Sequence, residues 1–203
     1  MIQQLTYSNG KKILVGLAEK AGSSSAISMM GYPLLGHFKY RKERLPLMSK
    51  GIWIEKNYQQ VTNWNDFDVR IVIVRDPVKR FVSCYKDRVY NKNKDGTREY
   101  VKSFDYFVNN IDDICKRSRD IKKHSLPLVD IVGPVSKYNY VIRLEDLNSK
   151  FIPIIENISG VSDIPVSYNK TSYKAEEVIP TNEQIEKIKF RYREDYENYG
   201  EWF

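Results

Sequence analysis

The chain of 203 residues is poor in the residues that build disulfide frameworks and metal sites. Its two cysteines, Cys84 and Cys115, lie in segments with helical periodicity and without metal-type spacing, and only two histidines are present. A disulfide framework and a zinc site are therefore not expected, and no metal is assigned. Cysteine usage of this kind is typical of a reducing compartment.

Long apolar runs are also missing. No stretch approaches the ~18 apolar residues that a membrane-spanning helix needs. The N-terminal MIQQLTYSNG lacks the basic and apolar regions of a secretion signal. We therefore expect a soluble, cytoplasmic protein without a membrane span, and the lumenal domain of an anchored enzyme is the alternative.

Two sets of functional motifs are absent from the sequence as well. There is no G-x-x-x-x-G-K-[ST] loop, which argues against nucleotide kinases and other P-loop enzymes. There is no RNP, zinc-finger or helix-turn-helix pattern, so a nucleic-acid partner is not expected. A basic nucleic-acid-binding module and a P-loop-like nucleotide kinase stay as the alternative functions.

What the chain does have is enough apolar residues for a core and a large excess of positive charge. Hydrophobic residues make up 41% of the sequence and charged residues 29%, which at this length predicts a single domain over residues 1–203. The net charge of +7 favours anionic partners such as nucleic acid, acidic glycans or phosphate-bearing cofactors.

The apolar pattern predicts an α/β fold. Short runs rich in β-branched residues predict strands at 11–17, 69–74 and 138–144, with GIWIE as a further candidate. Helical spacing and capping residues predict helices at 24–30 (ending at Gly31-Tyr32-Pro33), after the N-cap Asp76, at 104–115, from Asp146 or Asn148, and at 182–199. Strands that alternate with helices predict three layers, with a central, mostly parallel sheet flanked by helices.

The turn after the first of these strands has the composition of an anion-binding loop. In Lys20-Ala21-Gly22-Ser23-Ser24-Ser25 the glycine lets the backbone approach an anion, the serines add hydroxyl donors and the lysine adds a charge. A Ser-capped helix with a solvent-exposed lysine explains this turn about equally well.

The turn after the VRIVIV strand is the second such turn. Arg75 offers a planar fork suited to a phosphate monoester, and Ser83 follows on the polar side of the next helix. The alternative is an N-cap Asp76 with two surface arginines, Arg75 and Arg80, and a structural ion pair is the expected role of Arg80. Because the carboxyl ends of parallel strands meet at one edge of a sheet, both turns should contribute to one site.

These two segments together resemble a known family. KAGSSS after one strand and IVIVRDPVKRFVSCY around a later one resemble the sulfotransferases that use 3′-phosphoadenosine 5′-phosphosulfate (PAPS) and release PAP. The resemblance implies a P-loop-NTPase-like sulfotransferase fold. It also implies that the first loop, from Lys20 to Ser25, holds the 5′-phosphosulfate, and that Arg75 and Ser83 hold the 3′-phosphate.

A later segment extends the resemblance. YNKTSYKAEEVIPTNEQIEKI resembles the late loop of the carbohydrate sulfotransferases, especially the heparan-sulfate uronosyl 2-O type. By that likeness Lys170, Thr171 and Lys174 contact the cofactor, and a polar loop with solvated lysines is the alternative. VIRLEDL and REDYENYGEWF resemble family segments that we assign to packing.

The family reaction is the in-line transfer of a sulfuryl group from PAPS to a hydroxyl or amine of an acceptor. The resemblance implies that Lys20 stabilises the leaving phosphate. It also implies a carbohydrate or related hydroxylated acceptor, and the basic, tyrosine-rich composition suits an acidic or a sugar acceptor. A base must accept the acceptor's proton. His37 and Glu55 are the candidates we place first, with Glu43 and His124 as further ones.

Overall fold

The computed structural model of the chain describes residues 1–36, 52–55, 58–91, 96–166 and 178–203. Within these residues five strands form one sheet in the order β3-β1-β2-β4-β5. They are β1 (Ile2–Thr6), β2 (Lys12–Leu17), β3 (Ile52–Glu55), β4 (Val69–Val74) and β5 (Tyr140–Arg143).

The sheet is mixed but mostly parallel, as the sequence predicts. β4 pairs in parallel with both β2 and β5, whereas β1 is antiparallel to both β2 and β3. β2, β3, β4 and β5 therefore run in one direction and their carboxyl ends share one edge of the sheet. This arrangement confirms the predicted α/β fold class.

Helices cover both faces of the sheet. They are α1 (Ser23–Leu35), α2 (Pro77–Tyr85), α3 (Thr97–Tyr100), α4 (Phe104–Asn109), α5 (Ile111–Arg117), α6 (Arg119–Ser125), α7 (Leu128–Val132), α8 (Ile152–Ser159), α9 (Asn182–Arg191) and α10 (Arg193–Tyr199). Two wide π-type turns, Lys86–Asn91 and Leu147–Phe151, follow α2 and precede α8.

The core depends on strands that are buried on both faces. Along β2, Ile13, Val15 and Leu17 pack with α1 and α8, while Leu14 faces the opposite cluster around α7. β4 divides its side chains in the same way. A third cluster joins α2 to α4, α5 and α9. Continuous apolar runs such as VRIVIV are typical of strands covered on both sides.

The first strand was not predicted from the sequence. In β1, Ile2 and Leu5 are buried, but the run is interrupted by Gln3 and Gln4. Gln3 is itself fully buried between β2 and β3. A polar side chain in the middle of the run hides the pattern that identifies a buried strand.

The prediction that the first helix stops at Gly31-Tyr32-Pro33 is wrong. α1 continues through Pro33 to Leu35 and ends at Gly36, whose backbone is left-handed (φ 69°) and whose N–H donates to the Tyr32 carbonyl at 2.8 Å. A proline removes one intrahelical hydrogen bond and crowds the preceding turn. Here it lies in the last turn, where Tyr32 and Leu34 pack against the core and offset that cost.

Other boundaries differ less. The segment after residue 115, where no helix was predicted, contains α6 and α7. The predicted helix at 182–199 is divided into α9 and α10 at Tyr192, whose φ of −104° and ψ of 24° interrupt the helix. The helix predicted from Asp146 or Asn148 begins as the π-type turn before α8.

Arg80 is not a surface residue, contrary to the reading of the second turn. It is 2% exposed, its guanidinium lies 5.3 Å from the centre of the Tyr192 ring, and its NH2 group donates to the Leu126 carbonyl. The same group lies 3.9 Å from the carboxylate of Asp195. The expected ion-pair role of Arg80 is therefore confirmed, but the pair joins α2 to α10 inside the protein.

Asp195 is the centre of this buried polar contact. Its two carboxylate oxygens accept the backbone N–H groups of Leu128 at 2.8 Å and Val129 at 2.9 Å, at the start of α7. It thereby caps a helix and faces a buried arginine at the same time.

Replacement of this carboxylate should destabilise the whole domain. Asp195→Ala leaves Arg80 without its carboxylate and two backbone donors without an acceptor, so we expect the free energy of unfolding to fall by about 3 kcal/mol or more. Urea denaturation measures the change. Glu197→Ala, at an exposed position of the same helix, should change it by less than about 0.5 kcal/mol. Equal effects of the two substitutions would contradict the assignment.

Candidate functional site

The two turns singled out in the sequence meet at the carboxyl edge of the sheet. β2 and β4 pair in register up to Leu17 and Ile73, so the chain leaves both strands at the same level. The Arg75 NH1 group then donates to the Lys20 carbonyl at 2.8 Å. The sequence-based expectation that the two turns lie at the same edge of the sheet is confirmed.

The first turn has the geometry of an anion cradle. Gly22 precedes α1 with a left-handed backbone (φ 76°), and a Cβ at this position would come within 2.3 Å of Leu144 Cδ1. The first intrahelical bond runs from Ala26 to the Gly22 carbonyl, so the N–H groups of Ser23, Ser24 and Ser25 have no partner inside the helix. The positive end of the helix dipole lies at the same place.

The alternative of a Ser-capped helix with a solvent lysine does not hold. The N-cap is Gly22, and no side chain caps the helix. Lys20 has a left-handed backbone (φ 66°), which is strained for a residue with a Cβ, and its side chain is only 14% exposed. Strain of this kind is concentrated at functional sites.

The second turn begins a helix that forms one wall of a pocket. Asp76 is the N-cap, as predicted, and accepts the Lys79 N–H at 2.8 Å. Beyond it, residues four apart on α2 and the π-type turn face the same space. The pocket has a volume of about 430 Å³ and is lined by Lys20, Arg75, Val78, Lys79, Val82, Ser83, Lys86, Asp87, Asn91, Val178 and Pro180.

The pocket therefore brings together the three side chains that the sequence assigned to two ends of one ligand: Lys20, Arg75 and Ser83. Sequence reasoning missed the other polar residues of its wall. Lys79 and Lys86 lie four residues before and three after Ser83, a spacing that places side chains on one helix face and that could have identified them.

The electrostatics of the pocket favour an anion. Lys20, Arg75, Lys79 and Lys86 face it, opposed among its lining residues by the carboxylate of Asp87. Burial lowers the pKa of Arg75, against the opposing effect of Glu145 and Asp76, but a guanidinium stays protonated at any physiological pH. Its Nε is buried, and within the described residues no acceptor binds it.

The structure describes only some of the predicted site residues. His37, Glu43, Lys170, Thr171 and Lys174 lie outside the described residues. The next described segment begins at Val178, and both Val178 and Pro180 line the pocket.

Glu55 can be placed by its backbone. It is the last residue of β3, and its Cα pairs with Ile2, which also pairs with Gly16 of β2. Glu55 therefore lies at the edge of the sheet from which Lys20 and Arg75 emerge. Its assignment as a base stays a prediction, since its side chain is outside the described part of the chain.

His124 is buried behind the site and does not line the pocket. Its Nδ1 lies 2.7 Å from the Asp120 carbonyl, which can only accept, and its Nε2 contacts an Arg88 NH2 group, which can only donate. The ring is therefore neutral, with its proton on Nδ1. A neutral, 5% exposed imidazole in this position is a structural residue, and we do not assign the base to it.

Comparison with known proteins identifies one family. The sequence profile described as the sulfotransferase family matches residues 3–200, nearly the whole chain. No curated protein and no solved structure matches the chain. Among the described residues, no helix is both long enough and apolar enough to cross a membrane.

The buried His124 should make the protein less stable in mild acid. Burial is the main cause that lowers its pKa, with Arg88 acting in the same direction and Asp120 and Glu19 opposing. A base whose pKa is lower in the folded state contributes stability above its unfolded pKa of about 6.5, and this contribution is lost as the pH falls through the folded value.

We therefore expect the free energy of unfolding of the wild type to fall below pH 6.5 more steeply than that of His124→Gln. One proton contributes up to about 1.4 kcal/mol per pH unit. Urea titrations between pH 7.5 and 5 measure the difference. The amino group of Met1, whose pKa burial lowers to about 5, changes both proteins alike. Parallel curves for the two proteins would contradict the prediction.

Proposed function

Because the chain belongs to the sulfotransferase family, and is therefore an enzyme that transfers sulfuryl groups, we propose that its donor is PAPS. We further propose that the acceptor is a hydroxyl or amine of a carbohydrate or related molecule. The observation that carries the proposal is that Lys20, Arg75 and Ser83 line one pocket.

The residues present fit the donor. PAPS carries anions at two ends, and two groups of anion ligands lie at this corner of the molecule. The N-terminus of α1 after Gly22 suits the phosphosulfate. Gly22 and Ser23 to Ser25 do not themselves line the pocket, but the neighbouring Lys20 does. Arg75 and the hydroxyl of Ser83 suit the 3′-phosphate, for which the buried Nε of Arg75 is a donor that no described residue uses.

Two further cations widen the same surface. Lys79 and Lys86 line the pocket beside Ser83. Lys86 is half-buried, while Lys79 is exposed and pairs with Glu145 at 3.3 Å. Both lysines supply compact positive charge that attracts a polyanionic nucleotide but does not fix its orientation. The planar guanidinium of Arg75 fixes the orientation, because it binds in a defined geometry.

When bound, the donor would supply a sulfuryl group on a phosphate leaving group. A bond from sulfur to the acceptor's oxygen or nitrogen would form as the bond from sulfur to the bridging oxygen breaks, and PAP would keep the electron pair of that bond. Lys20 and the N–H groups of Ser23 to Ser25 stabilise the negative charge on the leaving phosphate and on the sulfuryl oxygens. The acceptor's proton passes to a base, for which we retain His37 and Glu55. Glu55 has the advantage that its backbone lies at the correct edge of the sheet.

The proposal also includes the cellular compartment and the charge of the acceptor. Cys84 and Cys115 are both free thiols, and burial raises the pKa of Cys84 to about 12, which keeps it inert. Free thiols of this kind are typical of cytoplasmic proteins, and we propose a cytoplasmic location. We also propose that residues 1–203 form one domain. The net charge of +7 suits an acidic acceptor.

The donor assignment predicts that PAP stabilises the protein more than ATP does. A ligand at about 100 times its dissociation constant adds about 2.7 kcal/mol, which for a chain of this size corresponds to a rise in melting temperature of roughly 5–10 °C. Thermal unfolding with PAP, ATP or no ligand measures it. Arg75→Ala should weaken PAP binding by about 10- to 100-fold because a charge-assisted bidentate contact is lost.

The matched control is Arg193→Ala, which removes an exposed arginine that does not line the pocket and should keep the full effect of PAP. The absence of any shift with millimolar PAP in the wild type would refute the donor assignment. An unchanged shift in folded Arg75→Ala would refute the role of Arg75.

Lys20→Met tests whether the lysine stabilises the leaving group or only holds the ligand. If it stabilises the leaving phosphate, kcat should fall by about 10²- to 10³-fold, the range found when one preorganised donor is removed, while PAP affinity falls less. Transfer of labelled sulfuryl from PAPS to acceptors found in a panel of uronic-acid-containing, neutral and phenolic compounds measures kcat. Equal losses in PAP affinity and in kcat/KM, with kcat unchanged, would show that Lys20 contributes to ligand binding alone.

A further inference from the structure

One acidic side chain interrupts the positive wall of the pocket. Asp87 lies in the π-type turn after α2, and its Oδ2 is 2.8 Å from Lys20 Nζ. Both side chains are largely buried, at 14% exposure for Lys20 and 6% for Asp87. Inserted π-type turns of this kind occur frequently at functional sites.

The ion pair uses the ammonium group that faces the pocket. Since Lys20 and Asp87 both line that space, an anion that enters it and Asp87 compete for the same three N–H donors. A buried carboxylate close to an anion site also repels the anion directly. Each effect weakens the binding of the anion.

Asp87 has a second partner that does not depend on Lys20. Arg88 Nε lies 3.3 Å from the same Oδ2 atom, and Arg88 NH1 lies 3.3 Å from Asp120 on α6. Removal of one partner from a buried pair is costly when it leaves an uncompensated charge. Here Lys20 can turn from Asp87 to a ligand while Arg88 still compensates the carboxylate.

The backbone of Lys20 is held separately from its side chain. Its carbonyl accepts the NH1 group of Arg75. The preceding residue, Glu19, lies 3.0 Å from Lys123 of α6. The ammonium can therefore change partner by rotation of the side chain without movement of the loop.

We propose that Asp87 is a positioning residue that holds Lys20 in the unliganded pocket and is exchanged for the anhydride anion of the donor when the ligand binds. The assignment of that anion to PAPS rests on the proposed function. The exchange itself concerns any doubly charged anion of that shape, so pyrophosphate is a suitable probe.

The test is the affinity of Asp87→Asn for pyrophosphate and for PAP, measured by isothermal titration calorimetry. We expect both ligands to bind about tenfold more tightly than to the wild type, because a competing buried charge is removed. A residue that only supported the fold would give weaker binding when replaced. Pyrophosphate binding that is absent, unchanged or weaker in the folded variant would overturn the proposal.

The matched control is Asp113→Asn, which makes the same substitution at an exposed carboxylate that pairs with Lys116 and does not line the pocket. Solvent and salt screen this site, so the affinity should change by less than about twofold. A gain equal to that of Asp87→Asn would show a general charge effect and would overturn the specific role of Asp87.

A thermodynamic cycle keeps the proposal testable if Asp87→Asn does not fold. In Lys20→Met the second change, Asp87→Asn, should cost less stability than it does in the wild type, because the Lys20 partner is already gone and only the contact with Arg88 is lost. Additive losses of stability would overturn the pairing. Tighter pyrophosphate binding to Asp87→Asn combined with no binding of PAP by the wild type would support the exchange and refute the donor assignment.

Discussion

The parallel pairing of β2 with β4 is the interaction on which the site depends. Its register sets Leu17 opposite Ile73, so two turns that are 55 residues apart in the chain, at Lys20 and Arg75, leave the sheet side by side. The hydrogen bond from Arg75 to the Lys20 carbonyl then joins them. Because both strands are buried on both faces, a slip of one residue would exchange the two apolar faces and separate the turns.

Burial of charge around α2 is the second condition for the site. Arg80 points away from the pocket, toward Asp195, and ties the helix to α7 and α10. Ser83 and Asp87 point into the pocket from the same helix and its π-type extension. One short segment therefore both anchors the domain and lines the site, so changes to its buried face affect the orientation of the polar face.

The sequence predicts the parts of this arrangement that are local. Apolar runs identify β2 and β4, and the glycine, serine and proline residues after them identify the turns. It does not predict β1, where Gln3 interrupts the apolar pattern, or the pair of Lys20 with Asp87, whose partners lie 67 residues apart. A long-range ion pair has no sequence period. In the sequence, Asp87 is indistinguishable from a surface residue at the end of a helix. Only the fold shows that it is buried beside Lys20.

The pocket combines a fixed backbone with a side chain that can change partner. The cradle requires the left-handed backbone of Lys20, a strained geometry that the Arg75 contact and the neighbouring Glu19 contact hold in place. The ammonium group needs no such constraint, because Arg88 Nε lies 3.3 Å from the same Asp87 oxygen and still opposes its charge when Lys20 turns away. The backbone conformation of Lys20 and the partner of its ammonium group are thus set by different contacts. A substitution at Asp87 is therefore expected to change the partner of the ammonium group and to leave the loop backbone in place.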